Sequence, residues 1–396
     1  MQLTDYVHTF GQHLLARHGE RVHKIALNAG FTCPNRDGSQ GIGGCTFCNN
    51  ASFNVDVAQQ RATSPSSRVS GAAADCPPLP QAGEGLVERG GRGADTDRPT
   101  LMLLPQMESG RRKIARRTRA TKFLAYFQAY TNTYAEVAEL KRLYDAALAH
   151  DDVIGLSVGT RPDCVPDAVL DLLAGYRDRG QEVWLELGLQ SAFDDSLARV
   201  NRGHGWREYE TACRAARSRG LPVCCHLIVG LPGETGWHAR QTLERVLDTG
   251  VDGLKLHPLH VVKGTQLANE WRRGEYQPLA VADYIAIAAD LIERTPWEVV
   301  YHRITGTAPE NLLLAPDWCS QKWPVVNAIV AELARRGSRQ GAKCPPLPAG
   351  EGWGVRENGG FADTASTCHG LTLIPSPSPS REKGAECPAR PEYAHA

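Results

Sequence analysis

Apolar residues along this chain fall into short continuous runs separated by stretches of helical period. Val22–Leu27, Leu124–Tyr130, Val153–Val158, Val183–Leu189, Val223–Val229 and Leu254–Leu259 read as buried parallel strands. Between them, Tyr134–Ala149, Pro166–Tyr176, Trp206–Ser218 and Ala239–Leu247 repeat their apolar positions at helical spacing. Pro166 suits a first helical turn, because its missing N–H would find no partner there. Gly180, Gly220 and Gly250 fall where a helix should end before the next strand. Strand starts near 153, 183, 223 and 254 lie about 30 to 40 residues apart, the length of a βαβ unit. Six such units predict a (β/α) barrel that is six-stranded and incompletely closed. An open doubly wound sheet fits the same periodicity.

The pattern breaks twice. Residues 62–105 and 341–396 are rich in Ser, Pro, Gly and Arg and carry no sustained apolar period. The two segments resemble each other: Cys76-Pro-Pro-Leu-Pro-Gln-Ala-Gly-Glu-Gly85 recurs as Cys344-Pro-Pro-Leu-Pro-Ala-Gly-Glu-Gly352, and each copy leads on to Ala-Asp-Thr. Two copies without a core pattern make neither a solenoid nor a propeller. They resemble translated repeat DNA that has entered a reading frame, and both are expected to be disordered. Cys76, Cys344, Cys368 and Cys387 are discounted as ligands on that ground.

Composition changes the picture little. The chain has 396 residues, 42% of them hydrophobic and 22% charged, and a formal net charge of zero, so bulk electrostatics favour neither nucleic acid nor membrane. No apolar run approaches the roughly 18 to 20 residues needed to span a bilayer. The start carries no basic region followed by an apolar core, so a cytoplasmic protein without a membrane partner is expected. The twelve cysteines are scattered rather than framework-like, and in a reducing compartment a cysteine cluster points to metal.

One cluster is distinctive. Cys33, Cys45 and Cys48 are spaced by eleven residues and then two, in a loop containing Gly38, Gly41, Gly43 and Gly44. A structural tetrahedral site normally has four protein ligands, and an electron-transfer four-iron cluster has four thiolates. Three thiolates would leave one iron free to activate another molecule, as cleavage of S-adenosylmethionine requires. Phe47 can shield the cluster and cover an adenine. A zinc site closed by His23 is the alternative, and a thioredoxin-like pair is weaker still, since the Gly-rich loop is the wrong context for it. Cys224 and Cys225 read as small buried hydrophobes. Cys164 and Cys319 are secondary candidates for a chemical role.

The predicted strand ends supply a second signal, since sites in such barrels form at the C-terminal ends of strands. These ends carry Gln128, Tyr130, Thr131 and Asn132; Arg161 and Asp163; Glu186 and Gln190; His226 and Glu234; and Lys255 and His257. Polar groups at the same end of every strand would converge on one cavity.

These residues resemble a known family. The pieces Gly30-Phe-Thr-Cys-Pro-Asn-Arg-Asp-Gly38, Gly44-Cys-Thr-Phe-Cys-Asn49, Phe127-Gln-Ala-Tyr-Thr131, Gly159-Thr-Arg-Pro-Asp163, Leu185-Glu-Leu-Gly-Leu-Gln-Ser191, Asn201-Arg-Gly-His204 and Leu227-Ile-Val-Gly-Leu-Pro-Gly-Glu234 are similar to radical S-adenosylmethionine (radical SAM) enzymes of the YhcC-like group, related to the radical domain of the Elongator catalytic subunit. The cysteine spacing departs from the commonest three-then-two form; the long first gap marks the Elongator-like branch. The resemblance implies a radical SAM, TIM-like partial barrel over 1–61 and 106–258, with its cluster loop at 30–50 and a small C-terminal α/β extension at 259–340. The insertion 62–105 and the tail 341–396 lie outside it. It implies that Cys33, Cys45 and Cys48 hold a [4Fe–4S] cluster whose free iron takes the amino and carboxylate groups of S-adenosylmethionine. Phe47, Gln128, Thr131, Arg161, Glu186 and Gln190 are then expected around that cofactor, with structural pairing across the barrel the competing role for Arg161, Glu186 and Gln190.

Substrate contacts are expected from His226, Lys255, His257, Tyr301, His302 and Arg303. The resemblance implies a tRNA wobble uridine as substrate and a one-electron donor such as flavodoxin or ferredoxin as partner. A basic run, Arg111, Arg112, Lys113, Arg116, Arg117, Arg119 and Lys122, could contact phosphates or be a solvated helix surface. Two other readings stand beside the enzyme: a zinc-stabilised nucleic-acid-binding protein without turnover, and a family member inactivated by the 62–105 insertion.

Overall fold

The computed structural model describes residues 2–49, 98–118 and 120–344. The strands in chain order are β1 Val22–Leu27, β2 Lys122–Phe127, β3 Val153–Thr160, β4 Glu182–Gln190, β5 Val223–Val229, β6 Gly253–Pro258, β7 Val261–Val262, β8 Val300–Arg303 and β9 Leu313–Ala315. Seven of them form one sheet in the order β1-β2-β3-β4-β5-β6-β8, every pair parallel. A doubly wound sheet reverses its strand order at a switch point. This order never reverses, so the winding is that of a barrel. The curl is visible in side chains: Lys24 on edge strand β1 reaches Glu186 on β4 and comes within 3.0 Å of His302 on β8. A bridge between Thr9 and Tyr301 joins the segment before β1 to β8.

Two expectations need correction. The sheet has a seventh strand, β8, inside the region read as an extension. Val300-Tyr-His-Arg is four residues long and half polar, which hides it among longer apolar runs. The second concerns the insertion. A helix spans Arg98–Thr118 and therefore begins within 62–105. Leu103 and Met107 are fully buried on the sheet, and Gly110 lets the helix approach β1, since a Cβ there would come within 2.5 Å of Ile25. Gln106 donates to the Asn28 carbonyl at 2.9 Å and accepts from its N–H at 2.8 Å, fixing the helix against the chain just before the cysteine loop. The expected disorder of the rest of the insertion and of the tail beyond 344 falls outside the described residues. Residues 341–344 are ordered against the helix Val281–Arg294, with Lys343 on Glu293 at 2.6 Å and the Cys344 thiol on the Arg294 carbonyl at 3.2 Å.

After β6 come the short antiparallel pair β7 and β9, a helix over Gln266–Arg272 and the paired helices Val281–Arg294 and Lys322–Arg335. Gln340 ties this region to the start of the chain: its side chain bonds the Pro296 and Val299 carbonyls and accepts from the His8 N–H. Among the described residues no helix is long and apolar enough to cross a membrane.

If the helix after the insertion is a full part of the core, Leu103→Ala should lower unfolding free energy by about 2–5 kcal/mol in urea denaturation. A loss below about 0.5 kcal/mol, usual for a surface site, would show that the helix is dispensable.

Candidate active site

The loop after β1 is shaped by its glycines and by Asn35. Gly41 has no room for a side chain, because a Cβ would sit 2.2 Å from the Asn35 amide oxygen. Gly43 and Gly44 take positive φ. Asn35, buried, donates to the Asn201 carbonyl and points its amide at the Cys45 sulfur 3.9 Å away. Thr46 is anchored on both sides, its N–H to the Val200 carbonyl at 3.0 Å and its carbonyl to the Leu267 N–H at 2.9 Å. The Cys45–Cys48 pair is thereby fastened both to the segment after β4 and to the helix Gln266–Arg272.

Three arginines face the sulfurs. Arg202 Nη1 lies 3.5 Å from Cys45 Sγ, and Arg161 Nη1 lies 3.9 Å from Cys33 Sγ. Arg36 holds the Cys48 carbonyl at 2.6 Å. Arg161 is itself locked by a two-pronged contact with Asp163, at 2.9 and 2.7 Å. Burial and the neighbouring Cys45 charge push the Cys48 thiol up, with Arg36 opposing. A thiolate set at this loop therefore needs the positive charge that the arginines, and a bound metal, provide.

Beneath the loop the barrel mouth opens into a cavity of about 210 Å³. It is lined by the three cysteines, Phe47, Gln128, Thr131, Arg161, Gln190, His226, Lys255, His257 and Arg303 among the expected residues. Two lining residues, Tyr130 and Gln190, hold positive φ without being glycine, at 63° and 82°. A third non-glycine residue at positive φ, Asn201 at 51°, lies behind the lining and donates to the Gly44 carbonyl at 2.8 Å. Backbone strain of this kind persists where the surroundings over-determine it, and here all three cases gather at one mouth.

Three expected residues lie elsewhere. Glu186 does not line the cavity; its side chain is 0% exposed and sits under the cavity floor. It bonds Lys24 and Lys255, His226 at 2.6 Å, Ser157 at 2.7 Å and His302 at 3.3 Å. Burial acts to raise its pKa, but the two lysines hold the carboxyl well below its usual range. Burial pushes Lys24 down to about 8. His302 is the second, packed between Phe10 and Trp184 beside Glu186. Tyr301 is the third, pointing into the core with its hydroxyl 2.7 Å from that of Thr295. The strand alternation explains the pair: Tyr301 and Arg303 share one parity, and a register shift at Lys255 lets Arg303 turn to the cavity.

Sequence reasoning missed Arg202, His204 and His260. Arg202 lies in the quoted Asn201-Arg-Gly-His204 motif, yet nothing in its spacing shows that it would reach Cys45. Gly188 makes room for it, since a Cβ there would meet Arg202 Nη2 at 2.9 Å. His204 is buried near Arg161 and Asp163, and burial takes it down to about 3. Cys164 and Cys319 are outside the cavity; burial raises both thiols, Cys164 to about 12.

The donor set fits a cluster better than a zinc ion. Among the described residues no three His, Cys, Asp or Glu side chains converge closely enough to hold a single metal ion. His23, the expected fourth ligand for zinc, sits at the opposite end of β1, roughly 13 Å of strand from the loop side. Three thiols beside two guanidinium groups, with the Arg202 Nε buried and unpartnered, suit a multi-iron anionic group.

Comparison with known proteins agrees with this geometry. Residues 31–246 match the radical SAM superfamily, and residues 251–335 match the radical SAM C-terminal domain. The chain belongs to the radical SAM superfamily. Within it, the chain is 48% identical to Protein YhcC of Escherichia coli strain K12, over 82% of this chain and 91% of that one. It is 37% identical to the uncharacterized protein YtqA of Bacillus subtilis, over 84% of this chain and 91% of that one. Among solved structures, an N-terminally truncated archaeal Elp3 from Methanocaldococcus infernus matches with a TM-score of 0.52 and 21% identity, over 61% of this chain and 60% of that one, a likeness of fold.

Glu186→Gln should destabilise the protein by about 3–5 kcal/mol at neutral pH, because it strands two buried lysines. The wild-type advantage should be complete above the ordinary Glu value near 4.5 and should shrink as pH falls below it, toward the depressed folded value. Denaturation midpoints of both proteins across that range check this; an advantage constant down to acid pH would contradict it.

Proposed function

We propose that this protein is a radical SAM enzyme whose Cys33, Cys45 and Cys48 hold a [4Fe–4S] cluster, and whose substrate is a tRNA base. The observation that carries the first part is the convergence of the three cysteines, Arg161, Arg202 and Gln190 on one cavity at the strand C-termini. A cluster held by Cys33, Cys45 and Cys48 would supply the one-electron chemistry that cleaves S-adenosylmethionine, with methionine leaving, for removal of a hydrogen atom from the substrate. The chain's own contribution is positional. Phe47 packs against the apolar cluster that includes Leu259, Val261 and Leu267 and shields the loop from the extension side. Gln128, Thr131 and Gln190 present polar groups for the nucleoside, and Arg161 and Arg202 offset negative charge at the sulfurs. A reduced flavodoxin or ferredoxin would deliver the electron.

The tRNA assignment rests on the resemblance to the Elongator-like branch. The basic run supports it in part: Arg112 is well exposed on the helix Arg98–Thr118 with only a 3.7 Å surface contact to Glu108, whereas the less exposed Arg111 is engaged with both Glu108 and Asp152. The seating of that helix on Asn28 supports an active enzyme over one inactivated by the insertion.

Anaerobically reconstituted full-length protein should release 5′-deoxyadenosine from S-adenosylmethionine under reducing conditions, and Cys45→Ala should not. Equal release from both would sink the radical reading. Bulk tRNA should accelerate the release; no binding and no acceleration would remove tRNA as the substrate while leaving the chemistry standing.

A further inference from the structure

The cavity has a second charged wall, formed by β6, β8 and the turn after β6. Five lining side chains are cationic, Arg36, Arg161, Arg202, Lys255 and Arg303, and among the described residues none of the lining is Asp or Glu. Arg36, Arg161 and Arg202 face the cysteine loop and have the partners given above. Lys255 and Arg303 stand on adjacent strands as register partners. Lys255 donates to Tyr126 Oη at 2.8 Å and to Glu186. Glu186 is already shared with Lys24, so this one carboxylate faces two ammonium groups. Among the described residues the Arg303 guanidinium has neither a hydrogen bond nor an ion pair, although it is only partly exposed.

Two imidazoles complete this wall. The His257 and His260 rings lie 4.5 Å apart. His257 is held through Nδ1 by the Pro258 carbonyl at 2.8 Å, and Gly306 is pressed against its other nitrogen, where a Cβ would come within 2.4 Å. His260 is 8% exposed, and its Nε2 is buried with no protein partner. A guanidinium without a counter-charge carries a desolvation cost that a ligand can offset. A planar guanidinium fork suits a carboxylate or phosphate, and an ammonium and an imidazole beside it add charge and donors.

We propose that Lys255, His260 and Arg303 form an anion subsite that binds a carboxylate or phosphate group of the substrate, placing the substrate across the cavity from the cysteine loop. The proposal rests on the reading of this cavity as a radical SAM site and narrows the substrate to one that carries an anionic group close to its reacting atom. In a nucleic-acid substrate the group would be either a carboxylate on the modified base or a backbone phosphate.

The test is a calorimetric titration of cluster-reconstituted full-length protein, in low-chloride buffer, with inorganic phosphate, with acetate and with the neutral analogue acetamide. Wild type should bind at least one of the two anions and not acetamide. Arg303→Gln should weaken that binding about tenfold or more. Arg303→Lys should restore part of it, and the exposed control Arg214→Gln should change nothing. A preference for acetate assigns a carboxylate, and a preference for phosphate assigns a phosphate. If neither anion binds, or if Arg303→Gln melts like wild type and binds as tightly, the proposal is overturned. Should Arg303→Gln fail to fold, His260→Asn carries the test: weaker anion binding supports the subsite, and unchanged binding overturns it. Substrate-free release of 5′-deoxyadenosine, measured on the same samples, reports the radical reading separately, since the titration needs no turnover.

Discussion

One buried carboxylate organises this barrel. Glu186 on β4 is contacted by Lys24 from β1, Ser157 from β3, His226 from β5, Lys255 from β6 and His302 from β8. Six of the seven sheet strands therefore meet at a single side chain, and strands β1 and β8, at opposite ends of the hydrogen-bonded order, are brought to the same point. Ladder hydrogen bonds alone would permit a flatter sheet. Buried ion clusters of this kind are weak sources of net stability, because desolvation consumes most of the Coulombic gain, but a flat sheet would separate the charges and leave them unpaired. The carboxylate thus favours the curled arrangement over its alternatives, and the curl is what gives the sheet an enclosed mouth.

The mouth inherits its asymmetry from that hub. Glu186 draws Lys24 and His302 below the cavity floor and holds Lys255 at that floor, which leaves the open end to the loop after β1 and to the residues that follow β2, β3 and β4. There the constraints are different in kind: glycines that admit Asn35 and Arg202, three non-glycine residues at positive φ, and arginines aimed at sulfur. The cysteine loop is fixed from outside as well, through Thr46 to Val200 and Leu267. A change in the extension near the helix Gln266–Arg272 would consequently be felt at the Cys45–Cys48 pair, although the two are far apart in sequence.

Much of this was legible in the residues. The limits of β1, of β5 and of the helix Trp206–Ser218 follow from apolar runs and helical period alone, because β5 is largely buried, β1 buries Val22, Ile25 and Leu27, and the helix has a strongly one-sided apolar face. The cysteine triplet and the polar strand ends pointed to one cavity. What escaped notice was of two kinds. Elements too short or too polar for a pattern were missed: β8 is one, and so is the start of the helix at Arg98, where Leu103, Met107 and Ile114 keep helical spacing beside a Gly- and Pro-rich segment. The direction of long polar side chains was the other. Glu186 and Gln190 lie on one strand and read alike in sequence, yet two lysines from distant strands pull Glu186 down, while the bulge between Gly188 and Gln190 turns Gln190 to the mouth. Such choices depend on partners 69 and 162 residues away in the chain.

The central claim is that the loop of three cysteines and the mouth beneath it make one site, in which a cluster with an open iron meets S-adenosylmethionine. Low-temperature electron paramagnetic resonance of the reduced, reconstituted protein tests it most directly, recorded before and after addition of S-adenosylmethionine. The account predicts the signal of a reduced [4Fe–4S] cluster whose g values shift when S-adenosylmethionine is added. A cluster signal that S-adenosylmethionine leaves unchanged, or a reduced sample with no cluster signal at all, would contradict it.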